Sequence, residues 1–485
     1  MEITVFSCFS AAAAIENEEQ SNGTGKKYII AMDTTFAPFE FEDSQGNRVG
    51  IDVELLEAIA KDQGFEYEAR AIGFDAALQA VESGQADGIL AGCSITEERQ
   101  KKMDFSTPYF DSGISMAVSK DNDSIQSYED LRGKKVAVKV GTEGATLANK
   151  LSEQYGFSVV TFDDSANMYE DVKLGNTVAC FEDYPVLGYA ISQDIGLKLV
   201  GEKEAGSSYG LGVKKGQNAE LLQMFNDGLE NVKASGEYQR ILDSYISSGD
   251  GTAANVESNE GVNFFTLLGT TFPRFIQAAG VTLWITAVSL VFAVVLGLLF
   301  CALRLSKYKV LHAITRVYLW VIRGTPVIVQ AFMIYFGIPK LLGFTMPVEV
   351  ASIITLTLNA GAYLSEIFRS GIEAVDVGQM EAARSLGLPY MKTMQKVILP
   401  QAARIVIPSV INQFIITLKD SSILSVIGLA ELTKVGKAIV AQNLESFNTY
   451  LILAIYYLIL VSLLTALSAV VERRLRRGKL KGKGN

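Results

Sequence analysis

Histidine is almost absent: His312 is the only one in 485 residues. One histidine is poor material for a His-based zinc site or a His-dependent catalytic triad. Cysteine is also scarce, with Cys8, Cys93, Cys180 and Cys301 scattered singly. No C-x-x-C spacing occurs, so neither a redox pair nor a disulfide framework is built in. Cys93 and Cys180 read as buried free thiols. There is no G-x-x-x-x-G-K-[ST] stretch, so the sequence carries no phosphate-cradling loop for ATP. If the protein moves a solute uphill, the ATP-binding motor is another polypeptide.

What is present divides the chain in two. Residues 279–485 hold 21 Lys+Arg and 9 Asp+Glu; from totals of 43 and 53, residues 1–278 keep 22 and 44. An acidic half is joined to a basic one, and the basic half is the apolar one. Its charges cluster beside apolar runs, which points to a cytoplasmic membrane face rather than to nucleic acid.

Residues 27–248 alternate β-rich runs ("KYIIAMD", "KKVAVKV", "GLGVKKG") with helical patterns ("DVELLEAIAKDQG", "FDAALQAVESG"). The alternation predicts β-α-β units, and the length suits two lobes. Residues 1–26 resemble the end of a secretory signal, with a small-residue site near Ala11–Ala14 but no preceding basic region. Residues 249–262, "GDGTAANVESNEGV", read as a flexible tether. Apolar segments then predict about five membrane spans, near 279–303, 325–344, 347–369, 402–424 and 448–472, within a domain 263–475, followed by a basic tail 476–485. Basic residues concentrate after the first span, between the third and fourth, and at the end. This places the tail in the cytoplasm and the soluble half outside the cell.

The polar stretch "EAARSLGLPYMKTMQKVILP" (Glu381–Pro400) interrupts the apolar half. Glu381, Ala382 and Ala383, then Gly387, then Ile398-Leu399-Pro400, resemble the EAA loop of ABC-importer permeases. "RGTPVIVQAFMIYFGIP", "NAGAYLSEIFRSGI" and "LKDSSILSVIG" resemble, in the same order, the polar amino acid branch of that family. "GIDVELLEAIAKDQG" and "GILAGCSITEERQKKMDFSTPYF" are similar to its extracytoplasmic amino acid-binding proteins. The chain is thus identified as a member of the polar amino acid ABC importers, with binding protein and permease fused.

The resemblance implies a fold and partners. The fold is a two-lobed α/β clamp followed by an all-α transmembrane domain of the type I ABC importer kind. Segment 376–400 supplies the coupling helix for a separate ABC ATPase homodimer, which binds ATP-Mg; this chain is expected to bind no cofactor itself. A second copy of the chain is expected, since five spans make only one side of a path. The other partners are an amino acid and the lipid bilayer, and nucleic acid is not one.

The resemblance also implies site residues. Arg99 grips the ligand carboxylate, with backbone N–H groups around Gly92, Ser94 and Thr142. Asp183 takes the ammonium, although Asp183 before Pro185 also reads as a helix N-cap. Asp33 lies near the ligand's side-chain end, and Phe36 and Phe74 sandwich its aliphatic part. Lys139 stands where glutamine-binding relatives carry lysine, which favours glutamine. Glu143 and Glu182 depart from that pattern and keep arginine, lysine or another polar amino acid open. Hinges are expected near Ile114–Lys120 and Tyr209–Lys215. In the membrane half, Asn359, Tyr363, Lys419 and Asp420 are candidates for a translocation pathway, with a Lys419–Asp420 ion pair as the structural alternative. Glu366 reads as a boundary residue near Arg369. An amino acid-gated ion channel is the reading from another class; both lobes end before the first span and no filter such as TVGYG is present.

Overall fold

The computed structural model describes residues 26–43, 46–246, 263–306, 308–443 and 446–481. The expected signal segment, apart from Lys26, and the expected tether 249–262 lie outside the described residues, as does Cys8.

The described residues of the soluble half form twelve strands: β1 (Lys27–Met32), β2 (Phe41–Glu42), β3 (Arg48–Val49), β4 (Glu66–Ala71), β5 (Gly88–Ile89), β6 (Met103–Phe105), β7 (Phe110–Ser119), β8 (Lys135–Lys139), β9 (Ser158–Phe162), β10 (Ala179–Asp183), β11 (Leu197–Tyr209) and β12 (Gly212–Lys214). One five-stranded sheet has the order β4-β1-β5-β12-β6, the other β11-β7-β10-β8-β9. Strands joined by helices pair in parallel, as β1 does with β4 and β5, and β8 with β9 and β10. The strands at the crossings between lobes pair antiparallel: β7 with β10 and β11, and β12 with β5 and β6. Lobe 1 is therefore interrupted by lobe 2, and the chain crosses twice.

The crossings lie between Phe105 and Phe110 and between Tyr209 and Gly212, where Phe110 pairs with Tyr209. The first expected hinge, Ile114–Lys120, falls instead inside the lobe-2 sheet, with Ile114 opposite Asp183. The run Phe110–Ser119 is one unbroken strand, so nothing in its apolar pattern marks where the chain has already changed sheet.

Helix Ile51–Gln63 buries Ile51, Leu55, Leu56 and Ile59 against lobe 1 and ends at Gly64. Helix Phe74–Ser83 buries Phe74, Ala77, Ala80 and Val81 on the other face of the sheet. That second core does not stop at the lobe. It continues into Tyr335, Phe336, Leu424 and Ile427 of the apolar half, so lobe 1 is seated on the membrane helices by apolar contact.

Among the described residues the apolar half has four helices long and apolar enough to cross a membrane: Phe264–Leu305, Val348–Glu373, Tyr390–Ile427 and Ser446–Val470. A fifth candidate is the pair Lys309–Gly324 and Val327–Leu342, bent by 108°. The bend follows Gly324 and Pro326, and Pro326 has no N–H to continue the first helix. The first helix starts at Phe264 rather than Ala279, because its polar and proline-containing beginning is helical but not apolar enough to read as a span. It packs along helix Val348–Glu373 through small buried residues, among them Ser289, Ala293 and Gly297 facing Ala360, Leu364 and Ser365.

Candidate functional site

The cleft between the lobes is built from strand ends and helix starts. Asp33 follows β1 in lobe 1 and Lys139 ends β8 in lobe 2. The two are buried and form an ion pair across the cleft. Asp33 also accepts from the N–H of Thr34 at 2.6 Å. The Lys139 ammonium lies 5.4 Å from the centre of the Phe36 ring. Burial works against its charge, but Asp33 and then Glu182 hold its proton more tightly than in water.

Arg99 lies on the short helix Glu97–Gln100. Its guanidinium donates to the carbonyl of Ser94 at 2.8 Å and, across the cleft, to the carbonyl of Gly141 at 3.0 Å. It also stacks 5.1 Å from the Phe74 ring centre. Thr142, next to Gly141, caps helix Glu143–Tyr155 by accepting from the N–H of Ala145 at 3.2 Å. Arg99 and this helix start thus face one region with positive potential, suited to a carboxylate.

Gly92 differs from expectation. Its N–H donates to Asp52 Oδ2 at 2.8 Å, so it is already engaged inside lobe 1. Ser94 is buried and pairs with Tyr209 in an isolated antiparallel bridge. Asp52 and Tyr109, whose hydroxyl donates to the same carboxylate at 2.9 Å, are structural supports that sequence reading missed. The sequence places two acids, Asp52 and Glu54, in the first turn of this helix, and only the structure shows which is buried.

Asp183 stands at the start of helix Tyr184–Ser192, but its side chain makes no capping hydrogen bond. The N-cap reading is therefore replaced: the carboxylate is buried and accepts from the hydroxyl of Ser112 at 3.4 Å. Burial, then Glu182, then Glu143, push it well above the usual carboxylate range. A buried acid so placed gains from a cation brought beside it. Glu182 accepts from Ser165 at 2.7 Å, and burial raises it despite the opposing pull of Lys139. Cys93, Cys180 and Cys301 are buried free thiols.

In the membrane half the candidates separate. Tyr363 lies under the Arg323 guanidinium, 5.4 Å from ring centre to its carbon, and lines a cavity of about 520 Å³ with Arg304, Arg316, Trp320 and Glu366. Asn359 is buried in helix packing and Lys419 is exposed; neither lines that cavity, nor does Asp420. Lys419 and Asp420 form no ion pair with each other among the described residues. Glu366 pairs with Arg304 and, at 2.9 Å, with Arg369.

In the coupling segment, helix Val377–Ser385 ends at a turn where Gly387 has φ 84°. Glu381, Ala382 and Gly387 are exposed, whereas Ala383 is buried against its own chain, so only Ala382 of the alanine pair faces outward. The next helix begins at Tyr390, after Pro389. A π turn over Met394–Ile398 leads directly into helix Leu399–Asp420, a wider turn that accommodates the missing N–H of Pro400.

Two families match this chain in succession. Residues 28–248 match the bacterial extracellular solute-binding proteins, family 3, and residues 289–477 the binding-protein-dependent transport system inner membrane component. The permease half is 37% identical over 204 residues to the arginine transport system permease ArtQ of Bacillus subtilis, covering 42% of this chain and 93% of that one. It is equally 37% identical over 205 residues to the glutamine transport system permease GlnP of Escherichia coli, covering 42% and 94%. This chain belongs to the polar amino acid ABC importers. It is a solute-binding domain fused to a permease, a transport protein of several membrane helices. Among solved structures, the binding half is 40% identical to an ancestral arginine-binding protein bound to arginine, covering 45% of this chain and 96% of that one with a TM-score of 0.43. It is 43% identical to substrate-binding domain 2 of Lactococcus lactis GlnP in an open conformation, covering 47% and 98% with a TM-score of 0.37.

Proposed function

We propose that the importer captures glutamine outside the cell and passes it inward. The observation that carries this reading is the buried Lys139–Asp33 pair at the side-chain end of the cleft. An ammonium and a carboxylate side by side offer one donor and one acceptor, the pattern of a neutral amide. Arg99 and the Thr142 helix start take the carboxylate, Asp183 takes the ammonium, and Phe36 and Phe74 flank the aliphatic part.

Arginine or lysine is the second reading, and Glu182 favours it. With Asp33 balanced by Lys139, the charge of that end of the cleft depends on whether Glu182 holds a proton. Burial raises the affinity of Glu182 for a proton, which opposes the negative charge a cationic ligand would need there. Titration calorimetry on the full chain with each common amino acid tests the choice. Glutamine binding tightest supports the assignment, and Glu182→Gln should then reduce arginine binding further. Tighter arginine binding in the wild type overturns glutamine, and no binding to any amino acid overturns capture itself.

The drive comes from a separate ABC ATPase pair that binds ATP-Mg, and two copies of this chain enclose the path. Residues 376–400 dock on the ATPase. Exposed Leu386, Tyr390 and Met391 around the Gly387 turn supply an apolar surface for that partner. The binding domain lies outside the cell and the C-terminus in the cytoplasm. Two helices support this orientation: Val348 and Ile427 pack toward lobe 1, while the far ends of the same helices, Glu373 and Tyr390, adjoin the coupling segment.

A further inference from the structure

The turn that carries Phe74 also contacts the membrane helices. β4 ends at Ala71 and the next helix begins at Phe74, so only Ile72 and Gly73 lie between. Gly428 closes the turn Ser421–Ile427 with φ 97°, a conformation side chains rarely adopt. A Cβ at Gly428 would fall 2.2 Å from the Cγ2 of Ile72. Ile72 therefore occupies a socket that exists only because residue 428 is glycine.

A second contact ties the same turn. Lys434, on helix Leu432–Asn443, donates both to the carbonyl of Ala71 and, at 2.8 Å, to the carbonyl of Gly428. Its ammonium bridges the two segments whose side chains interlock. Arg274 on the first long helix pairs with Glu42, and the N–H of Met346 donates to Gln85 at 2.8 Å, so lobe 1 is held on both sides of the socket.

On its other side the turn reaches the ligand cleft. Phe74 is buried, stacks on the Arg99 guanidinium, and belongs to the same apolar cluster as Leu424 and Ile427. Four consecutive residues thus touch the permease at one end and the carboxylate-gripping arginine at the other.

We propose that the Ala71–Phe74 turn is a positioning element through which the permease region, at the Gly428–Lys434 socket, sets how firmly the clamp holds its ligand. This rests on the amino acid-capture reading above. In the docked arrangement the socket holds Ile72, and with it Phe74 against Arg99, so docking tightens the grip. Any rearrangement of the segment 421–434 then loosens it, and by linkage a bound ligand favours docking to the same degree.

The test uses the full chain in nanodiscs, with radiolabelled L-glutamine and L-arginine as probes. Gly428→Val blocks the socket and Lys434→Gln removes the bridging charge, and neither residue touches the cleft. Both variants should speed dissociation of the bound probe by about fivefold or more, the lower bound of ordinary coupling. Rates within about twofold of wild type in both variants overturn the proposal. Hydrogen exchange supplies a readout independent of ligand. Protection of the amides at 71–74 should fall in each variant, and unchanged protection likewise overturns it. Wild-type chain that binds neither probe while the exchange still responds refutes the capture reading and leaves the socket contact demonstrated. If Gly428→Val does not fold, Lys434→Gln carries the same measurements.

Discussion

Glu40 and Asp52 are two carboxyl groups with fully buried side chains inside lobe 1. Burial, followed by the charge of Asp52, pushes Glu40 well above the usual carboxylate range. Its folded form thus keeps a proton that the unfolded chain releases above about pH 4.3. The stability tied to that proton is full below this value and is lost as pH rises toward the folded value. Glu40→Gln should therefore melt higher than wild type near neutral pH, with the two curves converging at about pH 4; an identical pH slope in both would refute this. At this scale the sequence stretches led to side chains the structure brings to the cleft, with Asp33 paired to Lys139 and Arg99 reaching Gly141 across it. Gly92 was not legible, because a sequence shows that a backbone N–H exists but not that Asp52 already occupies it. Nor was the inward turn of Ala383, which depends on the packing of neighbouring helices.

Elements follow from composition unevenly. Long apolar runs located the membrane helices, yet the 108° bend and the early start at Phe264 were hidden, since neither changes mean apolarity. Helices Val377–Ser385 and Tyr390–Thr393 meet at a turn that contains Gly387. Its φ of 84° makes a branched side chain costly by roughly 1–2 kcal/mol, although no atom lies within 4 Å of a Cβ placed there. Gly387→Val should consequently shift the turn without harming the fold. Glutamine binding by the purified chain should be unchanged, while ATP-driven uptake in proteoliposomes with the cognate ATPase falls to background. Normal uptake would remove residues 376–400 from the coupling role.

For the whole molecule, both lobes meet the permease region of their own chain, lobe 1 through the apolar core and lobe 2 through the hydroxyl of Tyr450 on Asn167 at 3.3 Å. The membrane helices also present Trp320, Val317 and Phe292 outward, a surface available to lipid or to a second copy. Native mass spectrometry of the complex with its ATPase should give two copies of this chain and two of the ATPase; a one-to-one complex would overturn the two-copy path.

The first membrane helix runs 42 residues. At about 1.5 Å per residue it is roughly twice as long as a hydrocarbon core of about 30 Å. Its outer part packs on the segment around Leu432, Ile439 and Tyr456 and meets lobe 1 through Arg274 and Glu42. It stands as a mast fixed to the binding domain at its tip and to the permease core at its foot. One continuous rod thus joins the binding domain to the permease core, with no loop between the two attachments.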